Sequence, residues 1–489
     1  MIFLINFLNN RAYALFLAVF LLAGCAQLEQ LAQEKPEPLA MLGMDVAWQE
    51  GPQTARLGSL RCSIRTSGGS GKVTFELQTL KAGIATIEHS GEESTWSWSP
   101  KEPGIYRVKT TATDDTGASV DSGWSAEYRF DPPVGSGSLY AVLPVDNISA
   151  TKAPLAEIHQ ALINALTEKG FQILAHETLD DFMEKNRVRY TGGLNSEIGR
   201  KLQEELGVEG VFITSLETWQ DGSPPRVSLV SRVDLPGEWP EILWIDSVGL
   251  TGDDAPGLLG IGRIKSAEQL LAKGVDSLVN SFQLYLAGGY PTYRVASDRQ
   301  EMRVVNSANS TADFFGTKIE RRHQPRFTYR APDYDPAGRY SVAVVPFLNV
   351  DARKYAGEVV ALHFVKQLSR YENLRVVEPG LVRQIMLDYR MIMEAGPSLA
   401  NSDILASDNI LGADIVFSGK VFDYQGTLGM SKVDFSVQAF DGEKREVVWT
   451  SRSYATGDEG VYFFDVGRVP SAHGLTTRMS KAVVDLLEE

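Results

Sequence analysis

From residue 138 to the end of the chain, hydrophobic and polar positions follow strand and helix periods in an order that occurs twice. Apolar strands open the two copies at residues 139–145 and 342–347. In the stretch after each strand, apolar residues recur three and four positions apart, which predicts an amphipathic helix. Three more strands and a last amphipathic helix end each copy. The order β-α-β-α-α-β-β-β-α predicts a mixed sheet covered by helices, an α/β or α+β sandwich.

A cassette of constant spacing shows that the two copies are duplicates. It contains Trp244, Asp253, Asp254 and Arg263 in the first copy, and Trp449, Asp458, Glu459 and Arg468 in the second. Each residue of the second set lies 205 positions after its counterpart, so the cassettes align without a gap. A period this long far exceeds the roughly 20 to 50 residues of solenoid repeats, so each copy should be a domain with its own core. We call residues 138–287 repeat 1 and residues 340–489 repeat 2, with a connector at 288–339.

The acidic turns of the cassette have three interpretations. Calcium needs about six to eight oxygen ligands, and neither turn has the alternating acidic spacing of a known calcium loop. A structural turn fits better: Arg263 or Arg468 closes on its own acidic turn, and Ser266 or Ser471 caps the next helix. If the turns are exposed, the same residues form a partner surface. The eight cassette residues are therefore the candidate interaction residues of the two repeats.

Strand signals recur at short spacing between residues 44 and 134, with Gly and Pro between them, which predicts a small all-β sandwich. Residues 103–117 resemble the late strand and turn of immunoglobulin-like modules of bacterial surface proteins. Two tryptophans, Trp96 and Trp98, point to one face of a strand. With Trp124 they suit either a glycan-binding platform or, more commonly, a sandwich core.

The N-terminus combines a short apolar run with the sequence Leu22-Ala23-Gly24-Cys25. About 13 apolar residues suit a signal peptide, whereas a membrane span needs roughly 20. Leu-Ala-Gly-Cys resembles the lipobox of bacterial lipoproteins. The resemblance implies a signal peptide at 1–24, acylation of Cys25 and a proline-containing tether at 25–43. The following Ala26 and Gln27 lack the aspartate of inner-membrane retention, which implies the periplasmic face of the outer membrane. Exposure at the cell surface stays open.

Charge and motifs exclude several classes of function. A formal net charge of −15 argues against nucleic-acid binding, which needs a basic face. Residues 257–262 are rich in glycine but lack the pattern of a phosphate-binding loop, and no serine lies in a GxSxG elbow. The six histidines are scattered without metal-ligand spacing. The sequence thus predicts no catalytic constellation, no metal site and no cofactor.

The strand Val344-Val345-Pro346-Phe347 and the segment from Leu411 to Gly419 carry a second resemblance. They are similar to the periplasmic domain of the CsgG family of curli-secretion lipoproteins, and also to the N-terminal domain of TolB and the lipoprotein activators of peptidoglycan synthases. The resemblance implies an envelope lipoprotein that works by binding. Secretion-pore members insert two extra amphipathic hairpins per subunit, and this chain has no such insertion between the recognised elements, which disfavours a pore.

The connector contains a basic segment, Arg321-Arg322-His323, followed by Arg326. It is either a partly extended linker or a docking strip for an acidic partner. A connector of this length without structure is unusual in a compact protein, so we expect part of it to pack on a repeat.

These observations predict a lipid-anchored, non-catalytic envelope protein whose tandem CsgG-like domains present a binding surface. Its expected role is that of a scaffold or accessory factor in export or assembly at the outer membrane. A regulator of peptidoglycan synthesis is the alternative, followed by a curli-type pore subunit and by an enzyme acting on glycan. The expected partners are the membrane, through acyl chains on Cys25, and envelope proteins, and homo-oligomer formation stays open.

Overall fold

The computed structural model describes thirteen stretches of the chain and a single further residue, Gly338. The stretches are residues 37–49, 58–81, 84–100, 104–130, 133–254, 263–287, 323–336, 340–371, 373–391, 399–407, 410–426, 430–459 and 468–488. They form two compact units. One contains the strands up to Phe130, and the other consists of residues 100–103 and the chain from Asp131 onward. Cys25, the signal peptide, the glycine-rich segment 257–262 and connector residues 288–322 lie outside the described residues.

The first unit is all β, as the sequence predicts. Its strands are β1 (Ala40–Gln49), β2 (Ser59–Ser67), β3 (Val73–Lys81), β4 (Ile84–Gly91), β5 (Thr95–Trp98), β6 (Gly104–Asp114), β7 (Ser119–Asp121) and β8 (Tyr128–Phe130). They form a three-stranded sheet, β1-β2-β5, and a second sheet in the order β4-β3-β6-β7, with β8 also paired to β6. Every pairing is antiparallel.

The core of this unit decides between the two interpretations of its tryptophans. Trp96 and Trp98 are buried among the core residues, and Trp124 is exposed beneath the ammonium of Lys109. The three indoles therefore do not form one exposed platform. Cys62 is a fully buried free thiol, and burial raises its pKa to about 11.

The segment assigned to the tether ends earlier than the sequence indicated. Strand β1 begins at Ala40, and Leu39, Met41 and Met44 pack against the sandwich core. Because burial of these apolar side chains is favourable, the last residues assigned to the tether form part of the first sheet.

Repeat 1 contains β9 (Leu139–Val142), β10 (Asp146–Asn147), α1 (Leu155–Glu168), β11 (Gln172–Ile173), α2 (His176–Lys185), α3 (Ser196–Leu206), β12 (Gly210–Gln220), β13 (Arg226–Leu235), β14 (Glu241–Thr251) and α4 (Ala267–Leu286). The connector contains β15 (Phe327–Arg330). Repeat 2 contains β16 (Tyr340–Val344), β17 (Leu348–Asn349), α5 (Ala356–Leu368), β18 (Leu374–Val376), α6 (Pro379–Asp388), α7 (Leu399–Ala406), β19 (Ile415–Gln425), β20 (Lys432–Asp441), β21 (Glu446–Thr456) and α8 (Ala472–Glu488). The main elements follow the predicted order in both copies, and each copy has one additional two-residue strand, β10 or β17, before its first helix. The opening strands end at Val142 and Val344, earlier than predicted.

The two sheets have the same topology. Their strand orders are β11-β9-β12-β13-β14 and β18-β16-β19-β20-β21-β15. The first three strands of each order are parallel, and the remaining neighbours are antiparallel. Strand β15 comes from the connector and pairs with β21, with Phe327 opposite Arg452. Part of the connector therefore packs on repeat 2, as expected.

Each sheet packs one face against the first and last helices of its repeat. In repeat 1 these are α1 and α4, and in repeat 2 they are α5 and α8. On the opposite face, helices α2 and α3, or α6 and α7, cover the parallel half. The opposite face of the antiparallel half has no helix of its own repeat in these clusters, and we call it the far face. None of the described helices is long and apolar enough to span a membrane.

Candidate functional site

The tryptophans of the cassette lie in the two cores. Trp244 and Trp449 are both buried, and the Trp244 ring lies 5.3 Å from the ring of Phe282 on α4. These residues fill the space between sheet and helix, so they stabilise the fold and are not available to a partner.

The charged residues of the cassette form the same ion pair in both repeats. The guanidinium of Arg263 lies 3.1 Å from Asp253, and that of Arg468 lies 3.1 Å from Asp458, with all four side chains substantially exposed. The backbone N–H of Gln269 donates to Ser266, which caps α4, and that of Gly474 donates to Ser471. Exposed ion pairs of this kind contribute about 0–1 kcal/mol, so they order the turn more than they hold the fold.

The remaining acidic residues of the cassette also have structural partners. Asp254 accepts hydrogen bonds from the N–H and hydroxyl of Thr251, and Glu459 pairs with Arg326 of the connector. Burial raises the pKa of Asp254 to about 6, although the Thr251 hydrogen bonds oppose the shift. The cassette is thus a corner between the last strand and last helix of each repeat. Gly262 and Gly467, and the nearby Asp465, lie outside the described residues.

The structure brings together a different group of polar residues, where repeat 2 packs on the far face of repeat 1. The Arg232 guanidinium on β13 lies 2.6 Å from Glu378, at the start of α6, and 3.3 Å from Asp234. All three side chains are fully buried or nearly so. Glu378 also accepts hydrogen bonds from the N–H groups of Leu194 and Leu381, so one carboxylate joins both repeats.

Burial shifts the pKa values of Arg232 and Asp234 in this cluster. Burial disfavours the charged form of Arg232, but the attraction of Asp234 and Glu378 outweighs this effect and raises the Arg232 pKa. Burial also raises the pKa of Asp234 well above its ordinary value, and the field of Arg232 only partly offsets this. Arg232 therefore keeps its positive charge near neutral pH.

Close backbone contact accompanies these charges. A Cβ atom on Gly380 would lie 2.3 Å from the backbone nitrogen of Leu194, and one on Gly193 would lie 2.6 Å from the Cα of Gly380. The Arg383 guanidinium stacks over the Tyr190 ring at 4.3 Å. Glycine at positions 193 and 380 lets the two repeats approach at backbone distance.

A second buried cluster lies further along the same interface. Glu217 on β12 faces His363 on α5 and His473 on α8, and none of the three is more than 2% exposed. One carboxylate oxygen lies 3.0 Å from Nε2 of His363, and the other lies 2.5 Å from Nδ1 of His473. The three ligand-type atoms lie within 4.8 Å of one another.

Further polar groups hold the two imidazoles in place. Nδ1 of His363 lies 3.1 Å from the Thr477 hydroxyl, and Nε2 of His473 lies 3.4 Å from the Ser247 hydroxyl. Lys366 donates to Ser247 at 2.9 Å and forms an ion pair with Asp246 at 2.7 Å. The cluster is therefore continuous with a second inter-repeat ion pair.

The protonation of the cluster follows from its burial and its charges. Burial lowers the pKa of His363, and the Glu217 carboxylate only partly offsets this. The His363 imidazole therefore resists protonation where it faces Glu217.

The far face of repeat 2 has a different character. Phe327, Tyr329 and Tyr454 are 59%, 47% and 37% exposed on it. Arg452 stacks over the Phe422 ring at 3.8 Å and forms an ion pair with Asp434. This open far face presents aromatic and guanidinium groups that are enriched at protein interfaces.

Sequence reasoning found the cassette but missed the interface. Its histidines His363 and His473 lie 110 positions apart, and their common partner Glu217 belongs to the other repeat. One signal was available: Glu217, Arg232 and Asp234 are charged residues inside strands β12 and β13, whose other interior residues are uncharged, and charges are rarely buried there unless paired.

Comparisons with known proteins show distant likeness in fold. No protein-family model matches the chain, and no curated protein matches it. Among solved structures, the chain is similar to the PelC dodecamer from Paraburkholderia phytofirmans, with 16% identity, 33% of this chain and 95% of that chain covered, and a TM-score of 0.23. It is also similar to lipoprotein GNA1162 from Neisseria meningitidis, with 16% identity, coverage of 29% and 98%, and a TM-score of 0.22.

A third solved structure matches a shorter part of the chain. The PKD1 domain of Vibrio anguillarum Epp has 18% identity, covers 19% of this chain and 100% of that chain, and gives a TM-score of 0.13. The element order and sheet topology define the fold class as an all-β module together with two mixed α/β sheet domains. One of the structural neighbours is a lipoprotein.

Proposed function

We propose that this protein is a lipid-anchored, non-catalytic scaffold or accessory factor in export or assembly at the outer membrane, and that it binds another envelope protein through repeat 2. The open far face carries the proposal. The far face of repeat 1 is buried by α5 and α8 of repeat 2. The same surface of the fold therefore forms an interface between the two repeats of this chain.

Two observations support a binding role over catalysis. The acidic residues of the cassette are engaged in ion pairs and turn hydrogen bonds, which leaves them no free role as an acid and base pair. The open far face exposes three large aromatic side chains, Phe327, Tyr329 and Tyr454. Aromatic side chains with a central arginine commonly supply most of the free energy of a protein interface. The lipobox-like sequence at Cys25 supports the anchor.

Site-specific photo-crosslinking in cells tests the partner. We expect a crosslinker at Tyr329 or Tyr454 to capture an envelope protein, whereas one at the exposed Ala272 of α4 captures none. Capture of an export or assembly component supports the proposal. Capture of a peptidoglycan synthase favours the alternative, in which the protein regulates cell-wall synthesis. The proposed surface is wrong if neither Tyr329 nor Tyr454 forms an adduct. It is also wrong if every adduct formed from these two positions forms from Ala272 as well.

Fractionation tests the anchor independently. Mass spectrometry should find acyl chains on Cys25, and Cys25→Ser should move the protein from the membrane fraction to the soluble fraction. A mature protein with unmodified Cys25 would remove the lipid anchor from the proposal.

A further inference from the structure

We propose that Glu217, His363 and His473 bind one divalent transition-metal ion, for which Zn²⁺ is the probe, and that this ion joins the two repeats. Two imidazole nitrogens and one carboxylate oxygen form a donor set that suits zinc and related borderline metals. Calcium and magnesium prefer sites made of oxygen ligands, so they do not fit this set.

Two unpartnered atoms are the first observation behind the proposal. Oε1 of Glu217 and Nε2 of His363 are fully buried and only 3.0 Å apart, yet their contact lacks the alignment of a hydrogen bond, and neither atom has another hydrogen-bond partner among the described residues. Leaving a buried polar atom without a hydrogen-bond partner destabilises the folded protein. A cation bound by both atoms removes this destabilisation.

The geometry of the contact explains why these atoms do not bond to each other. Two ligands that are each about 2.1 Å from a metal and about 3.0 Å apart aim their lone pairs at the ion, roughly 45° away from the line between them. A hydrogen bond needs the N–H to point along that line. A short contact without hydrogen-bond alignment is therefore the arrangement expected of two metal ligands.

The tautomer of His363 is the second observation. Thr477 donates its hydroxyl hydrogen to the carbonyl of His473 at 2.9 Å, so its oxygen accepts from Nδ1–H of His363 at 3.1 Å. Nε2 of His363 then carries a lone pair that faces the Glu217 carboxylate. Two acceptors at this distance repel each other unless a cation lies between them.

The outer groups match those that normally orient metal ligands. A histidine bound through one nitrogen usually donates its other N–H to an oxygen, which fixes the ring. Here Thr477 and Ser247 supply that oxygen to His363 and His473. Lys366 would repel a metal ion, but Asp246 neutralises it at 2.7 Å.

The third ligand needs a small adjustment. Oε2 of Glu217 and Nδ1 of His473 are 2.5 Å apart, whereas two ligands of one zinc ion are separated by about 3 Å or more. Binding therefore lengthens this contact by roughly half an ångström. Since the cluster is buried between the repeats, we expect the ion to enter when the repeats fold together and to leave slowly.

The test uses the full chain, purified in detergent without a histidine tag. After dialysis against Zn²⁺ and then buffer, plasma mass spectrometry should find one zinc per chain. X-ray absorption should show nitrogen and oxygen ligands at about 2.0–2.1 Å with imidazole scattering. Co²⁺ should give a visible absorption band in the same chain, a measurement that needs no variant. A wild-type chain that retains no zinc and gives no Co²⁺ band overturns the proposal, because the cluster is then a hydrogen-bonded network only.

Matched variants assign the ligands. Thr477→Val, which removes only the oxygen that orients His363, should weaken zinc binding by about 10–100-fold, and His363→Gln should weaken it more. His176→Gln is the control because His176 is exposed on α2 and lies outside the cluster. Equal zinc content in wild type, His363→Gln and His176→Gln overturns the assignment. Circular dichroism verifies that each variant is folded.

Discussion

The two repeats have the same elements and the same sheet order, yet their first helices are buried to very different extents. Helix α1 of repeat 1 buries four of its 14 residues, which lie on one stripe. Helix α5 of repeat 2 buries 11 of its 13 residues, because it packs on its own sheet and also on the far face of repeat 1. A helix that is apolar nearly all round is buried on all sides. The duplicated fold is therefore used asymmetrically.

The side chains of the far faces explain this asymmetry. Glu217, Arg232 and Gly249 of repeat 1 occupy the strand positions of Phe422, Gln438 and Tyr454 in repeat 2. Glu217 and Arg232 of repeat 1 contact polar or charged side chains of repeat 2, and Gly249 leaves space for the His473 ring. The equivalent residues of repeat 2 face outward. Different residues at a few equivalent positions thus accompany an internal interface on one copy of the surface and an exposed surface on the other.

The largest effect should come from the buried cation of repeat 1. Arg232→Ala leaves Glu378 buried without its partner charge, which should lower the free energy of unfolding by about 3–5 kcal/mol. The equivalent change in repeat 2, Gln438→Ala, should stay within about 0.5 kcal/mol because Gln438 is exposed. Urea denaturation measures both. Similar losses of unfolding free energy in the two variants would show that the two far faces contribute equally to stability.

The contrast between the repeats also shows which structural features could be predicted from the sequence alone. Periodicity predicted the element order, because apolar faces at strand and helix spacing are local properties. It also predicted that Arg263 and Arg468 close on their own acidic turns, since both partners lie within one corner of the chain.

The interface was beyond the reach of the sequence. Glu217 and its partner His473 lie 256 positions apart, and nothing local indicates which repeat covers which face. In a symmetric packing of the two repeats, equivalent side chains of both copies would form the interface. The nearly continuous apolar stretch from Val359 to Val365 was the one local sign that α5 is buried on two sides.

The second prediction tests how closely the repeats approach. In Gly380→Ala, the new methyl group would overlap the backbone of Leu194, which cannot move aside as a side chain can. We expect a loss of about 1–3 kcal/mol in the free energy of unfolding. The matched control is Glu177→Ala, the second residue of α2 as Gly380 is of α6, which is exposed and should change stability by less than about 0.5 kcal/mol. A neutral Gly380→Ala would mean that the repeats do not touch there.

The third prediction concerns the acidic turn of repeat 1, at Asp254. The pKa of Asp254 is about 6 in the folded state and about 3.9 when unfolded, so the folded state binds its proton more tightly. The stability from this group is complete below about pH 4 and is lost as pH rises towards 6, by about 1–3 kcal/mol. Asp254→Asn should flatten this part of the stability profile relative to the wild-type protein. Thermal unfolding between pH 4 and 7 gives the comparison, and an unchanged slope in Asp254→Asn contradicts it.

The smallest effect on stability is expected at the open far face. Tyr454→Ser removes an exposed ring and should change the free energy of unfolding by no more than about 0.5 kcal/mol. At the equivalent position of repeat 1, Gly249→Ala places a Cβ 2.4 Å from the His473 ring and should destabilise the protein. Tyr454→Ser should nevertheless abolish the crosslink formed from Tyr329. If Tyr454→Ser unfolds the protein, both far faces are structural and repeat 2 has no separate external interface. A Tyr329 crosslink that survives Tyr454→Ser would show that Tyr454 does not contribute to partner binding.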